Sequence, residues 1–211
     1  IRGNLATLMN VDVNGCRFIG IEFQATGTTV RDLVRLADTT AITGGITFED
    51  CVWNGADQNP QGYMDGVSGL WTDNVNAVTG LVVRRCIFRD LGKTQLQIGI
   101  GGAPYAMIED SLFAIDTSAG WGINIEDTTA FGTGKGYIIR NNEFTGPDAT
   151  TASQVGIRIV GTADTTAVGL IRTNYFAWFA NHTAITQAIM TGSIVNNYWG
   201  GDAGGTLMDN T

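Results

Sequence analysis

YIIRNNEF (137–144) is the stretch on which the fold turns, because its eight-residue phrase returns along the whole chain. The other copies are VDVNGCRF (11–18), ITFEDCVW (46–53), LVVRRCIF (81–88), AMIEDSLF (106–113), GLIRTNYF (169–176) and GSIVNNYW (192–199). The third residue is always Val, Phe or Ile, and the last is always Phe or Trp. Apolar and polar positions alternate, the period of a strand rather than a helix. The closing aromatics recur every 23 to 35 residues. A fixed phrase with elastic gaps means short strands joined by loops of variable length, and a period near 30 residues is that of a stacked repeat.

A second, looser alternation follows each phrase: LVRLAD (33–38), GLWTDN (69–74), QIGIGG (97–102), GINIED (122–127), GIRIVG (156–161), AITQAI (184–189) and GTLMDN (205–210). Its expected inward column is Val34, Leu70, Ile98, Ile123, Ile157, Ile185 and Leu207. The outward one is Arg35, Trp71, Gly99, Asn124, Arg158, Thr186 and Met208.

Composition agrees with an all-β chain. The 211 residues carry 29 glycines, about 14% against a usual ~7%, and charged residues are only 15%. Long helices are disfavoured by that glycine content. No apolar run reaches the ~20 residues needed to cross a bilayer, so membrane insertion is not expected. Net charge is −8, which opposes wrapping a phosphate backbone and argues against nucleic acid as a partner. The whole chain, 1–211, reads as one domain, and neither end looks like a cap, so it is taken as a segment of a larger chain.

With two or three short strands per turn, the chain resembles the right-handed parallel β-helices of the pectate-lyase-like superfamily, and the resemblance covers nearly its whole length. It implies an all-β solenoid of about seven coils of about 30 residues, with like residues stacked roughly 4.8 Å apart. The sixth phrase residue reads Cys16, Cys51, Cys86, Ser111, Asn142, Asn174 and Asn197. Inward Asn at a strand-to-strand turn can bond the backbone and the next Asn, a ladder familiar in such folds, with Cys or Ser filling the same slot in other coils. Stacked Cys are poorly oriented for disulfides, so free buried thiols are expected.

Two outer columns are apolar where a monomer should be polar. The second phrase residue runs through Val82, Met107, Ile138 and Leu170, and the seventh through Val52, Ile87 and Leu112. Self-association follows as an expectation. Phage tailspikes and tail fibres, trimers of β-helical chains, show this combination of apolar outer columns, few lysines (here Lys93 and Lys135) and Gly/Thr/Asn-rich coils. The resemblance implies a virion or extracellular location and favours a homotrimer.

The only histidine, His182, stands without a G-x-S-x-G motif, so no hydrolytic triad is legible. Zinc is not expected, since the cysteines are 35 residues apart. Glu49–Asp50 and Glu109–Asp110 look like acid/base pairs, but Arg on neighbouring coils gives them an ion-pair role instead. Resemblance to polysaccharide-processing β-helices directs attention to the outward column of the second alternation. There Trp71, Arg35, Asn124 and Arg158 have the makeup of a sugar subsite, stacking on a ring face and bonding hydroxyls. Asp73, Glu126 and Asp127 at its edge are the candidate catalytic acids, with Ca2+ implied only for a lyase and no cofactor otherwise. Three functions stay open: a glycan-binding structural segment of a virion or appendage, a secreted polysaccharide lyase, hydrolase or epimerase, and a surface adhesin or capsid decoration protein.

Overall fold

The computed structural model describes residues 1–3, 7–26, 32–55, 64–65, 68–72, 76, 78–92, 94–98, 105–115, 120–127, 136–146, 155–161, 168–177, 183–187, 191–200 and 206–209. Among them there is no helix, and every strand pairing is parallel. Three large sheets carry the architecture, with a two-stranded sheet of Met64–Asp65 and Leu91–Gly92 beside them.

The first half of the phrase builds the first sheet: Cys16–Ile19, Ile46–Glu49, Leu81–Arg84, Ala106–Glu109, Gly136–Arg140, Val168–Arg172 and Thr191–Val195. Its closing residues build the eight-stranded second sheet, from Arg2–Gly3 and Glu22–Ala25 to Tyr198–Gly200. The looser alternation builds the third, from Thr7–Val11 to Thr206–Asp209. Consecutive strands thus enter different sheets, and each strand meets its parallel partner one repeat later. No crossover helix is needed, and the arrangement is that of a parallel β-solenoid.

Stacking like on like makes the core. Phe23, Trp53, Phe88, Phe113, Phe144 and Phe176 are fully buried. Their ring centroids follow one another at 5.3, 4.4, 4.8, 5.0 and 4.8 Å, each pair stacked. Such aromatic pairs add roughly 0.5–1.5 kcal/mol beyond the area they bury. The column at the start of the phrase adjusts by size: Tyr137 is buried because its cross-strand neighbours are Ala106 and Gly169.

Between the first and second sheets the chain turns in two residues. The first of the two is left-handed in every coil: Gly20, Asp50, Arg85, Asp110, Asn141, Thr173 and Asn196 have φ between 51° and 64°. Gly, Asn and Asp tolerate that region, whereas Arg85 and the β-branched Thr173 are strained there. The second residue of the turn points inward. Cys51, Cys86, Ser111, Asn142 and Asn174 are buried there, and Asn197 is half-buried.

Cys16 does not belong to that column. It pairs with Ile46, Phe18 with Phe48 and Phe23 with Trp53, so the first copy of the phrase is CRFIGIEF (16–23) and Ile21 takes the turn position. The reading 11–18 is displaced by five residues because Phe18 and Phe23 both satisfy an aromatic close. Two third-sheet assignments shift as well. Leu96, not Ile98, pairs with Leu70 and Ile123, which brings Gln97 rather than Gly99 opposite Trp71 and Asn124. Met208, not Leu207, pairs with Ile185, and Asp209 with Thr186.

Candidate functional site

The outer face of the third sheet gathers the polar and aromatic groups singled out above. Arg35, Trp71, Gln97, Asn124 and Arg158 pair one to the next, so the four expected ligand-binding residues lie in one column. Adjacent members are separated by one strand spacing, roughly 4.8 Å. Arg35 holds Asp38 with Nε 3.1 Å from Oδ1, and Trp71 is half-buried.

Arg158 is the best-defined member. Its Nη1 donates to Asn124 Oδ1 at 3.0 Å, and its Cζ lies 4.4 Å from the centroid of the Trp121 ring. Asn124 is completely buried, and its Oδ1 holds the Arg158 guanidinium. Arg158 and Trp121 are half-buried, and among the described residues Arg158 makes no ion pair. A guanidinium held over an indole at this distance makes a cation–π contact and presents a hydrogen-bond donor beside an aromatic face.

Trp121 is the residue that the sequence pattern missed. Trp121 and Asn124 are three apart and would face opposite ways in a regular strand. Here Gly122 and Ile123 both face the core: Ile123 is fully buried, and a Cβ on Gly122 would lie 2.8 Å from Phe144 Cδ1 and 2.6 Å from the Gly156 carbonyl oxygen. Two successive inward positions return Trp121 to the outer face. The same doubling occurs at Leu33 and Val34, both fully buried. A Trp–Gly pair opening the second alternation was the available signal.

The three candidate acids are placed less fully. Glu126 and Asp127 end the strand Trp121–Asp127 that carries Asn124, opposite Val160 and Gly161. Asp73 and His182 lie outside the described residues. Among the described residues no three Asp, Glu, His or Cys side chains are grouped to hold a metal ion.

A second charged cluster stands on the first sheet. The Glu49 carboxylate is nearly buried and accepts from Arg84 Nη2 at 2.8 Å and Arg17 Nε at 3.0 Å, with Arg85 also bonded to it. These guanidiniums, Arg84 first, hold its pKa down at about 2. Arg85 also bonds Asp50, whose pKa is lowered by that bond. One coil pair further, Arg140 Nε donates to Glu109 at 2.7 Å. A carboxylate ionised this far below neutrality has no proton to give and is a weak base, which supports ion pairing over acid/base chemistry.

Compared with known proteins, the chain matches no family model, no curated protein and no solved structure.

Proposed function

We propose that this chain is a right-handed parallel β-helix of about seven coils of about 30 residues, serving as a structural and recognition segment that binds a surface glycan. Its setting in this reading is a virion or extracellular appendage of the tailspike or tail-fibre kind, assembled as a homo-oligomer, with a trimer favoured. The observation that supports it is the outer face of the third sheet, where Trp121 and Trp71 share one surface with the oriented guanidinium of Arg158. Sugar rings stack on indole faces through their C–H groups, and their hydroxyls take N–H donors.

The test is a titration of tryptophan fluorescence with neutral and acidic oligosaccharides. Binding is expected to quench emission, and Trp71→Ala or Arg158→Ala is expected to remove the response while circular dichroism stays unchanged. Quenching that survives both substitutions would defeat the reading.

A polysaccharide lyase, hydrolase or epimerase is the second reading. It is favoured by Glu126 and Asp127 closing the same strand that carries Trp121 and Asn124. It requires release of new chain ends from a polysaccharide, lost in Glu126→Gln, Asp127→Asn or Asp73→Asn, and a lyase would further require Ca2+.

A further inference from the structure

Among the described residues the first and second sheets each carry an outer column of half-buried and exposed apolar side chains, and the two columns follow the same coils. On the second sheet the column runs Val52, Ile87, Leu112, Glu143, Tyr175 and Tyr198. Glu22 opens it, held by Asn54; it is apolar through Val52, Ile87 and Leu112, carries a second acid at Glu143, and ends in two exposed tyrosines; Ile87 is 38% and Tyr175 44% exposed. On the first sheet the second-residue column is apolar through Met107, Ile138 and Leu170, with Ile138 37% exposed. Beside it runs a column that carries Arg140 and Arg172 in its later coils before closing on Val195.

The charges decide what fits. In the charged column Glu49 and Glu109 are already neutralised by their own arginines. Arg172 is exposed, and so is Glu143 on the other sheet. Among the described residues neither makes an ion pair, and Glu143 stands in its column between Leu112 and Tyr175. An unpaired acid on one apolar face and an unpaired base on the other, one coil apart, are complementary between molecules.

We propose that the second-sheet face of one copy packs on the first-sheet face of the next, with the copies parallel and in register. In that arrangement Leu112 meets Met107 and Tyr175 lies against Leu170, each at its own level, while Glu143 of one copy, level with Ile138, pairs with Arg172 of its neighbour one strand spacing, roughly 4.8 Å, along the stack. The contact is head-to-tail rather than two-fold, so it closes only as a cyclic ring about an axis along the stack, a trimer in the reading above. The two faces adjoin across a turn of two residues, so one wedge supplies both halves of every interface. This inference rests on the self-association proposed above and adds to it the surfaces, the direction and the ion pair.

The experiment is molar mass by light scattering at micromolar concentration, with folding followed by circular dichroism. The unmodified chain is expected at the mass of an oligomer. Glu143→Arg and Arg172→Glu, each placing like charges face to face, are expected to reduce the mass to that of the monomer. The chain carrying both substitutions is expected to recover it, because each interface then holds the swapped pair. Glu143→Gln and Arg172→Gln are the milder versions, expected to lower the oligomer fraction if either reversal disturbs the fold. A monomeric unmodified chain overturns the self-association and this pairing together. An oligomer whose mass survives both reversals and both neutral variants, or a double reversal that stays dissociated, overturns the pairing alone.

Discussion

The inward turn column divides into two chemistries, thiols in the early coils and amides in the late ones, and both find the same acceptors. Asn142 Nδ2 donates to the Ile108 carbonyl, Asn174 Nδ2 to Ile139 and Asn197 Nδ2 to Ile171, each at the third phrase residue one coil earlier. Cys51 Sγ lies 3.5 Å from the Phe18 carbonyl oxygen and Cys86 Sγ 3.6 Å from that of Phe48, the same position in their coils. What the amide adds is a separate acceptor. Asn174 Oδ1 takes the Asn142 backbone N–H and Nδ2, both at 3.0 Å, and Asn197 Oδ1 takes the corresponding pair from Asn174 at 2.9 Å. Ser111 joins the two halves, accepting from the Cys86 backbone N–H and donating to the Glu109 carbonyl. The backbone geometry therefore sets the column, and side-chain chemistry sets how tightly each coil is tied to the next.

The thiols have one further consequence. Hydrogen bonding with the Cys51 sulfur, together with burial, pushes the Cys86 thiol well above its ordinary pKa, so it stays protonated and inert. All three cysteines are free.

The largest expected effect tests the amide half. Asn174→Leu removes the donor to the Ile139 carbonyl and the acceptor for Asn142, leaving buried groups unpaired at a cost of at least about 2 kcal/mol. Thermal or urea unfolding measures it, and an unchanged melting temperature would break the comparison. Cys51→Ala in the thiol half should cost less, about 1 kcal/mol, because only a small buried group and weak S–H bonds are lost. If the two losses are equal, the amide has no special role.

Smaller still is the strain at the left-handed turn residue, which falls in both halves. Thr173, at φ 54°, is β-branched in a region costing roughly 1–2 kcal/mol for side-chain-bearing residues. Thr173→Gly trades that strain for backbone entropy in the unfolded chain, and a net stabilisation of about 0.5 kcal/mol is expected in the same unfolding assay. A destabilisation would show that the Thr173 side chain contributes contacts outweighing its strain.

The smallest effect is on acid stability, where the thiol-bearing coils carry the Glu49 cluster. The native pKa of Glu49, about 2, lies below its ordinary 4.5, so the unfolded chain binds the proton more readily. Its contribution is complete above about pH 4.5 and is lost as pH falls toward 2. Because Arg17 and Arg85 are half exposed, solvent screens the pairs and the dependence should be shallow. Melting temperatures from pH 5 to pH 2 are expected to fall less steeply in Glu49→Gln than in the unmodified chain; parallel curves would remove Glu49 from the account.

Much of this molecule was legible because a parallel stack puts chemically like residues at one position in every coil. Val83, Ile108, Ile139 and Ile171 recur at the third position and are all buried. The later closing aromatics occupy one stack, and the column Arg35, Trp71, Asn124, Arg158 lies on one face as its spacing implied. The left-handed turn residue was not legible, since Asp, Arg, Asn and Thr have no common apolarity and share only a backbone angle. Nor was Trp121, whose return to the outer face depends on two successive inward residues that break a period-two pattern.

By itself, then, the sequence determined the kind of element, the repeat, and the residues stacked in the core, because each is set by local alternation repeated over many coils. Only the tertiary structure decided phase and company. VDVNGCRF and CRFIGIEF both carry an aromatic close, and the choice between them is made by the neighbouring coil, where Phe18 stacks on Phe48 at 4.9 Å while Phe23 stacks on Trp53. Likewise Arg158 and Trp121 are 37 residues apart and meet because successive strands of the third sheet are held side by side by parallel hydrogen bonding. Alternation is a local property of a strand, whereas register is a property of a pair of strands, and a pair exists only once the chain has turned back beside itself.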